Sequence, residues 1–235
     1  HLNIPAINDK GESFWPEQVP LEDLKRLEKS DSYRFAGQYM QSPAPLGGGL
    51  FKDEWWRYYD VQPSFDYRAI YADTAMKTKE KSDYSVFECW GRTKEGKAYL
   101  IDAIRGKWEA PELLAQARAF WHKHKQEKNG TLRALKIEDK SSGTGLIQTL
   151  QREGVPVKAV QRNVDKVTRA YDVAPYIEAG HVYLPRSHHF ISDLLREASQ
   201  FPNADHDDTL DPMMDAVTDM LISYKPTVTK INVSF

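Results

Sequence analysis

Residues 68–73, Arg-Ala-Ile-Tyr-Ala-Asp, form a short, mostly apolar run that closes on a carboxylate. A strand with one wet face alternates apolar and polar residues, whereas a run with no such alternation must be buried on both sides. This requires a sheet covered on each face, and the rest of the chain has to supply the covers.

The covers are legible. Tyr84 to Arg92 and Ala98 to Ile104 read as further strands, separated by the charged turn Thr93-Lys94-Glu95-Gly96. Pro111 to Lys125 repeats Leu113, Leu114, Ala117, Phe120 and Trp121 at three- and four-residue spacing, which predicts a helix. Ala134 to Ile137 is a fourth strand ending at Glu138. Residues 141–145 (Ser-Ser-Gly-Thr-Gly) read as a break before a helix through Leu146, Ile147 and Leu150. A strand over 156–160, a helix over 166–179 stopped by Gly180, an extended piece over 181–185 and a helix over 189–199 follow. A last helix runs from about Thr209 to Tyr224 and ends before Pro226. Strands joined by turns, then helices alternating with strands, give an α/β fold with a central mixed β-sheet flanked by helices.

Ahead of this unit, residues 1–65 read as an irregular N-terminal extension. It holds one helical stretch, Pro20 to Ser30, and a loop over 42–49 that contains two prolines and three glycines. Trp55, Trp56, Tyr58 and Tyr59 need a surface, and packing on the following domain suits them better than stacking on nucleic-acid bases. The expected division is therefore 1–65 extension, 66–226 main domain and 227–235 tail.

Of the 235 residues, 40% are hydrophobic and 28% charged, as in an ordinary globular chain. No apolar run reaches membrane-spanning length, and no secretory leader opens the sequence. Cys89 is the single cysteine, which excludes a disulfide framework and cysteine-based zinc sites and fits a reducing compartment. The chain opens at His1 in a polar segment, as a piece of a longer protein would. The net charge of −2 argues against a strongly basic nucleic-acid coat protein. Its distribution is uneven: five basic residues stand against two acidic ones over 151–169, while 201–219 holds six Asp and no Lys or Arg. An acidic centre beside basic surface suits an enzyme that binds metal and a polyanion together; chance segregation of solvated charges gives the same pattern.

The acids lie at element ends. Asp73 closes one strand and Glu138-Asp139 another, while Asp205, Asp207, Asp208 and Asp211 open the last helix, and Asp83 precedes a strand. Strand ends of an α/β sheet gather at one edge, where ligands bind. Carboxylates meeting there can hold hard divalent cations. Two such ions about 3.5–4 Å apart can activate water at a phosphodiester. The last helix leaves two readings open. Asp208, Asp211, Asp215 and Asp219 lie opposite Leu210, Met213, Met214 and Val217, so the acids make either a solvated face or a ligand run. Other chemistries fit less well. Gly47-Gly48-Gly49 lacks the Lys-Ser/Thr of a phosphate loop, and neither His122/His124 nor His188/His189 has zinc-site spacing.

Taken in order, Tyr71-Ala-Asp73-Thr-Ala, Ser82-Asp83-Tyr84-Ser85, Ile137-Glu138-Asp139-Lys140-Ser-Ser-Gly143, Gly180-His-Val-Tyr-Leu-Pro185 and the stretch Phe201 to Asp211 resemble the C-terminal nuclease domain of the large terminase subunit of tailed bacteriophages. Residues 14–17 and 38–43 resemble the segment that links this domain to the ATPase. The resemblance implies an RNase H-like fold and an endonuclease that cuts concatemeric viral DNA during packaging in the host bacterial cytoplasm. It implies two Mg²⁺ or Mn²⁺ ions as cofactors. The implied partners are double-stranded DNA, an ATPase domain of the same full-length chain, the portal protein and the small terminase subunit, with no membrane. It puts metal-ligand roles on Asp73, Glu138 and an acid from the 206–211 motif. Pro212 is tolerated only in a first helical turn, which sets the helix start near Asp208 and ranks Asp208 first, Asp211 second and Asp207 third. Asp83, Asp139 and His206 stand as supporting residues. Lys166, Arg169, Arg162 and Lys140 stand as contacts to the DNA backbone. Two other readings compete: a junction resolvase or strand-transfer enzyme on the same fold, and a non-catalytic module that docks on the portal.

Overall fold

The structure, a computed structural model, describes residues 4–8, 10–30, 35, 37–41, 49–75, 84–202 and 207–224. Its frame is a seven-stranded sheet. The strands are β1 (Arg57–Tyr59), β2 (Tyr67–Asp73), β3 (Ser85–Arg92), β4 (Ala98–Gly106), β5 (Thr131–Glu138), β6 (Val157–Val160) and β7 (Val182–Pro185). Their spatial order is β1-β7-β4-β3-β2-β5-β6. Only β3 runs against its neighbours; every other pairing is parallel. The six parallel strands therefore send their C-terminal ends to one edge. Asp73 and Glu138 lie there, as does the chain leaving β6.

The helices are α1 (Leu21–Ser30), α2 (Ala110–Lys125), α3 (Ser141–Arg152), α4 (Lys166–Glu178), α5 (Ile191–Gln200) and α6 (Leu210–Val217). As the uninterrupted apolar run required, β2 is buried at every position except Asp73. On one face Ile70, Ala72, Phe87, Cys89, Leu135 and Ile137 pack against α2 and α3 through Leu113, Phe120, Trp121, Leu146 and Leu150. On the other, Tyr71, Trp90 and Leu100 meet Val173 and Ile177 of α4, Leu194 of α5, and Met213, Met214 and Val217 of α6. Each such side chain contributes roughly 1.5–3 kcal/mol when fully buried. No described helix is long and apolar enough to cross a membrane.

Three features differ from the sequence reading. Residues 141–145 are not a break: α3 begins at Ser141 and takes both glycines into its first turns. A Cβ at Gly143 would collide with the carbonyl oxygen of Glu138, so this glycine lets α3 start directly behind the acid. The last helix is α-helical only to Val217 and continues as a π-turn over Thr218–Ile222. The aromatic run before residue 65 does more than lean on the domain. Leu50, Phe51, Trp55 and Trp56 are core residues, and β1 completes the sheet beside β7. Backbone bonds from Gly49 N to Ser199 O (2.9 Å) and Leu50 N to Phe201 O (3.0 Å) seat this segment on α5.

Candidate active site

The C-terminal edge of the sheet brings four carboxylates to one guanidinium. Arg162, in the loop after β6, has a side chain only 4% exposed. Its Nη1 donates to Asp73 Oδ2 at 3.0 Å and Glu138 Oε2 at 2.9 Å, and lies 3.5 Å from Asp211 Oδ1. Its Nε and Nη2 donate to Asp215 Oδ2 at 3.2 and 2.8 Å. Three carboxylate oxygens, from the ends of β2 and β5 and the first turn of α6, thus converge on a single cationic nitrogen.

Further cations ring the cluster. Lys140 Nζ lies 2.6 Å from Glu138 Oε1. Lys166 Nζ stands 2.6 Å from both Asp207 Oδ1 and Asp211 Oδ2. Arg169 pairs with Asp211 and reaches Asp215 Oδ1 at 3.3 Å. Lys166 and Arg169 open α4, whose N-terminus is capped by Asp165 accepting from Thr168 N at 2.9 Å.

These surroundings tune the acids differently. Burial pushes the Asp73 carboxyl up to about 7, against the opposing pull of Arg162 and with the nearby Asp211 and Glu138 adding to the rise. Burial also works to raise Asp211, but Arg162, Lys166 and Arg169 outweigh it and hold this carboxyl below the ordinary range. For Asp215 burial prevails over the same arginines, and its pKa is raised.

Of the sequence candidates, Asp73, Glu138 and Asp211 come together, with Asp207 at the rim through Lys166. Asp208, ranked first from the sequence, is turned elsewhere. Its Oδ2 accepts from Tyr84 N at 3.3 Å and lies 3.6 Å from Arg105 Nη2. The physical reason is where α6 starts. Thr209 is the N-cap residue, so Asp208 precedes the helix while Asp211 sits in its first turn beside α4. Asp139 also faces away, with its Oδ1 accepting from the Thr144 hydroxyl at 2.8 Å. Asp83 and His206 lie outside the described residues. Of the four basic candidates, Lys140 pairs with Glu138, Lys166 and Arg169 pair with Asp211, and Arg162 is buried among the acids.

The solvated-face reading of α6 is overturned. Asp211 is buried, Asp215 meets Arg162 and Arg169, and Asp219 accepts from the Tyr71 hydroxyl at 2.6 Å and pairs with Lys136 at 2.5 Å. Asp215, marked in the sequence only as one acid of the α6 run, is a member of the cluster. Its spacing of four from Asp211 put both on one helix face, but only α4 and the β6 loop packed against that face reveal what they meet.

The fold is shared with solved structures. A large terminase from a thermophilic bacteriophage, solved in complex with ADP, aligns with a TM-score of 0.59 at 15% identity, over 84% of this chain and 51% of that one. The chain thus spans about half the length of that protein. The large terminase nuclease from thermophilic phage G20c aligns with bound magnesium at a TM-score of 0.53 and 16% identity, and with bound cobalt at 0.51 and 17%. Each of these two alignments covers 74% of this chain and 98% of the other. These likenesses show that the α/β fold is shared. A search of curated proteins gave no match. The family model described as the terminase RNaseH-like domain matches residues 70–219, and the chain belongs to that family.

Proposed function

We propose that this domain is a Mg²⁺- or Mn²⁺-dependent DNA endonuclease that cuts concatemeric viral DNA during genome packaging. The observation that carries the reading is the convergence of Asp73, Glu138 and Asp211 on one cation position, at 3.0, 2.9 and 3.5 Å from Arg162 Nη1. An all-oxygen, all-carboxylate donor set from three rigid elements suits a hard divalent ion. When bound, such ions supply an activated water and Lewis-acid stabilisation of charge at the phosphate. The G20c nuclease solved with magnesium supports the same assignment.

Within this reading Asp73, Glu138 and Asp211 are the ligands, and Asp207 is a weaker candidate at the rim. Asp208 anchors the approach to α6 through Tyr84 and Arg105. Gly143 sets α3 close behind Glu138 and fixes that ligand's backbone. Lys166, Arg169 and Lys140 hold the DNA backbone, so binding is nearly indifferent to base sequence. Residues 1–65 lead from an ATPase domain of the same full-length chain. The portal protein and small terminase subunit are the remaining partners, in the host cytoplasm.

Purified protein with Mn²⁺ or Mg²⁺ should nick plasmid DNA without ATP and stop in EDTA. Asp73→Asn should cut on the order of a hundredfold slower or worse, because a bound ion stabilises the transition state by several kcal/mol and each 1.36 kcal/mol is tenfold. A folded Asp73→Asn protein that cuts like wild type rules out this assignment.

A further inference from the structure

Arg162 faces two ways. Nη1 occupies the point where Asp73, Glu138 and Asp211 converge, while Nε and Nη2 hold Asp215. In this arrangement no three Asp, Glu, His or Cys residues among those described stand as a cage for a metal ion. The acids lie on strand ends and a helix, whereas Arg162 comes from the loop 161–165, where Val164 is 47% exposed. Beside Arg162 lies a cavity of about 390 Å³, lined also by Asp215, Arg169, Tyr71, Lys136 and Asp219.

We propose that Arg162 is a built-in stand-in cation that locks the ligand set, so that metal loading requires Nη1 to withdraw while Asp215 serves as the pivot and the cavity receives the side chain. The inference rests on the metal reading of this site. A guanidinium cannot give up its proton in a protein, so it cannot yield to a metal by neutralising, as a lysine could. It has to move. Two positive charges cannot share one point, and a metal draws oxygens to about 2.0–2.1 Å, closer than a guanidinium holds them.

Withdrawal has a natural acceptor. A DNA phosphate matches the guanidinium fork, and any ligand that favours the withdrawn arginine must raise metal affinity by the same factor that metal raises its own. Lys166 and Arg169 follow the same pattern, since both are held by Asp211 in this state. Metal and DNA therefore each strengthen the other's binding, because both favour the withdrawn arginine.

The test is Mn²⁺ titration calorimetry of wild type and Arg162→Gln, with melting in EDTA and in Mn²⁺. Arg162→Gln should bind Mn²⁺ about tenfold or more tightly, because a competing buried charge is gone. It should also melt lower than wild type in EDTA and recover in Mn²⁺. Unchanged or weaker Mn²⁺ binding by folded Arg162→Gln overturns the proposal. If that variant does not fold without metal, wild-type crystals soaked in Mn²⁺ decide: Nη1 should leave Asp73 and Glu138 while the Asp215 contact persists. An ion bound with both contacts retained overturns it. Absence of Mn²⁺ binding in both proteins removes the metal reading and this inference together. Equal binding in both proteins, abolished by Asp73→Asn, leaves the metal reading and removes this inference alone.

Discussion

Two charge clusters sit on the same sheet with opposite logic. Around Arg162 Nη1, three carboxylate oxygens converge on one nitrogen. Around Asp102, on β4, three nitrogens converge on one carboxylate: Lys123 Nζ at 2.7 Å, His124 Nε2 at 2.9 Å and His188 Nε2 at 3.0 Å. Converging acceptors make a place for a cation, whereas converging donors fix an anion and leave nothing to exchange. Asp102 accordingly ties α2 to the chain after β7. Burial works against its charge, but its hydrogen bonds from His124, His188 and Lys123 prevail and hold its pKa well below the ordinary carboxylate range. Asp73, half-buried with other acids beside it, is pushed the other way. The same residue type is a bolt in one cluster and a ligand candidate in the other.

The comparison breaks most sharply at α6. Asp211→Asn should weaken Mn²⁺ binding more than roughly a hundredfold, beyond what losing an outer partner of a ligand costs. Asp208→Asn should leave that affinity within about threefold and lower the unfolding midpoint instead, since its partners are Tyr84 and Arg105. Calorimetry on both variants checks the pair, and the reverse order would return Asp208 to the head of the ligand set.

At the second cluster the effect falls on stability. Asp102→Asn should cost about 1–3 kcal/mol in denaturant unfolding near neutral pH, the range for stranding buried donors, with Mn²⁺ binding intact. The pH dependence has a definite sign. A carboxyl whose folded pKa is depressed contributes stability above its unfolded pKa, here 3.8, and loses it as pH falls from there towards the folded value. Wild type should therefore lose ground to Asp102→Asn below about pH 4. Parallel curves for the two proteins would show that Asp102 is no such bolt.

The smallest effect concerns DNA. With Ca²⁺ present to fill the site, Lys166→Ala and Arg169→Ala should each lower the slope of log affinity against log salt by about one. In EDTA, where Asp211 holds both cations, the reduction should be smaller. Equal slopes for wild type and both variants with Ca²⁺ would move the DNA path elsewhere.

The frame of the molecule could be read along the chain. An unalternating run made β2 a doubly buried strand, and helical spacing located α2, α4 and α5 to within about two residues, the usual uncertainty of helix ends. The same logic put Asp73 and Glu138 at one edge, because parallel strands end together. These features depend on neighbours within a few residues. Gly143 lay within a visible run of small residues, but its purpose appears only where α3 meets the Glu138 carbonyl. Which acid of the α6 run meets Arg162 depends on where the helix begins against α4, so Asp211 stands there while Asp208, equally buried, meets Tyr84 and Arg105. Asp215 and Arg162 entered the site through contacts 53 residues apart in sequence. Sequence alone determined which charges the chain carries and which elements bear them; only the packing of α6, α4 and the loop after β6 decided which charges meet, because a carboxylate's role depends on the cation folded against it.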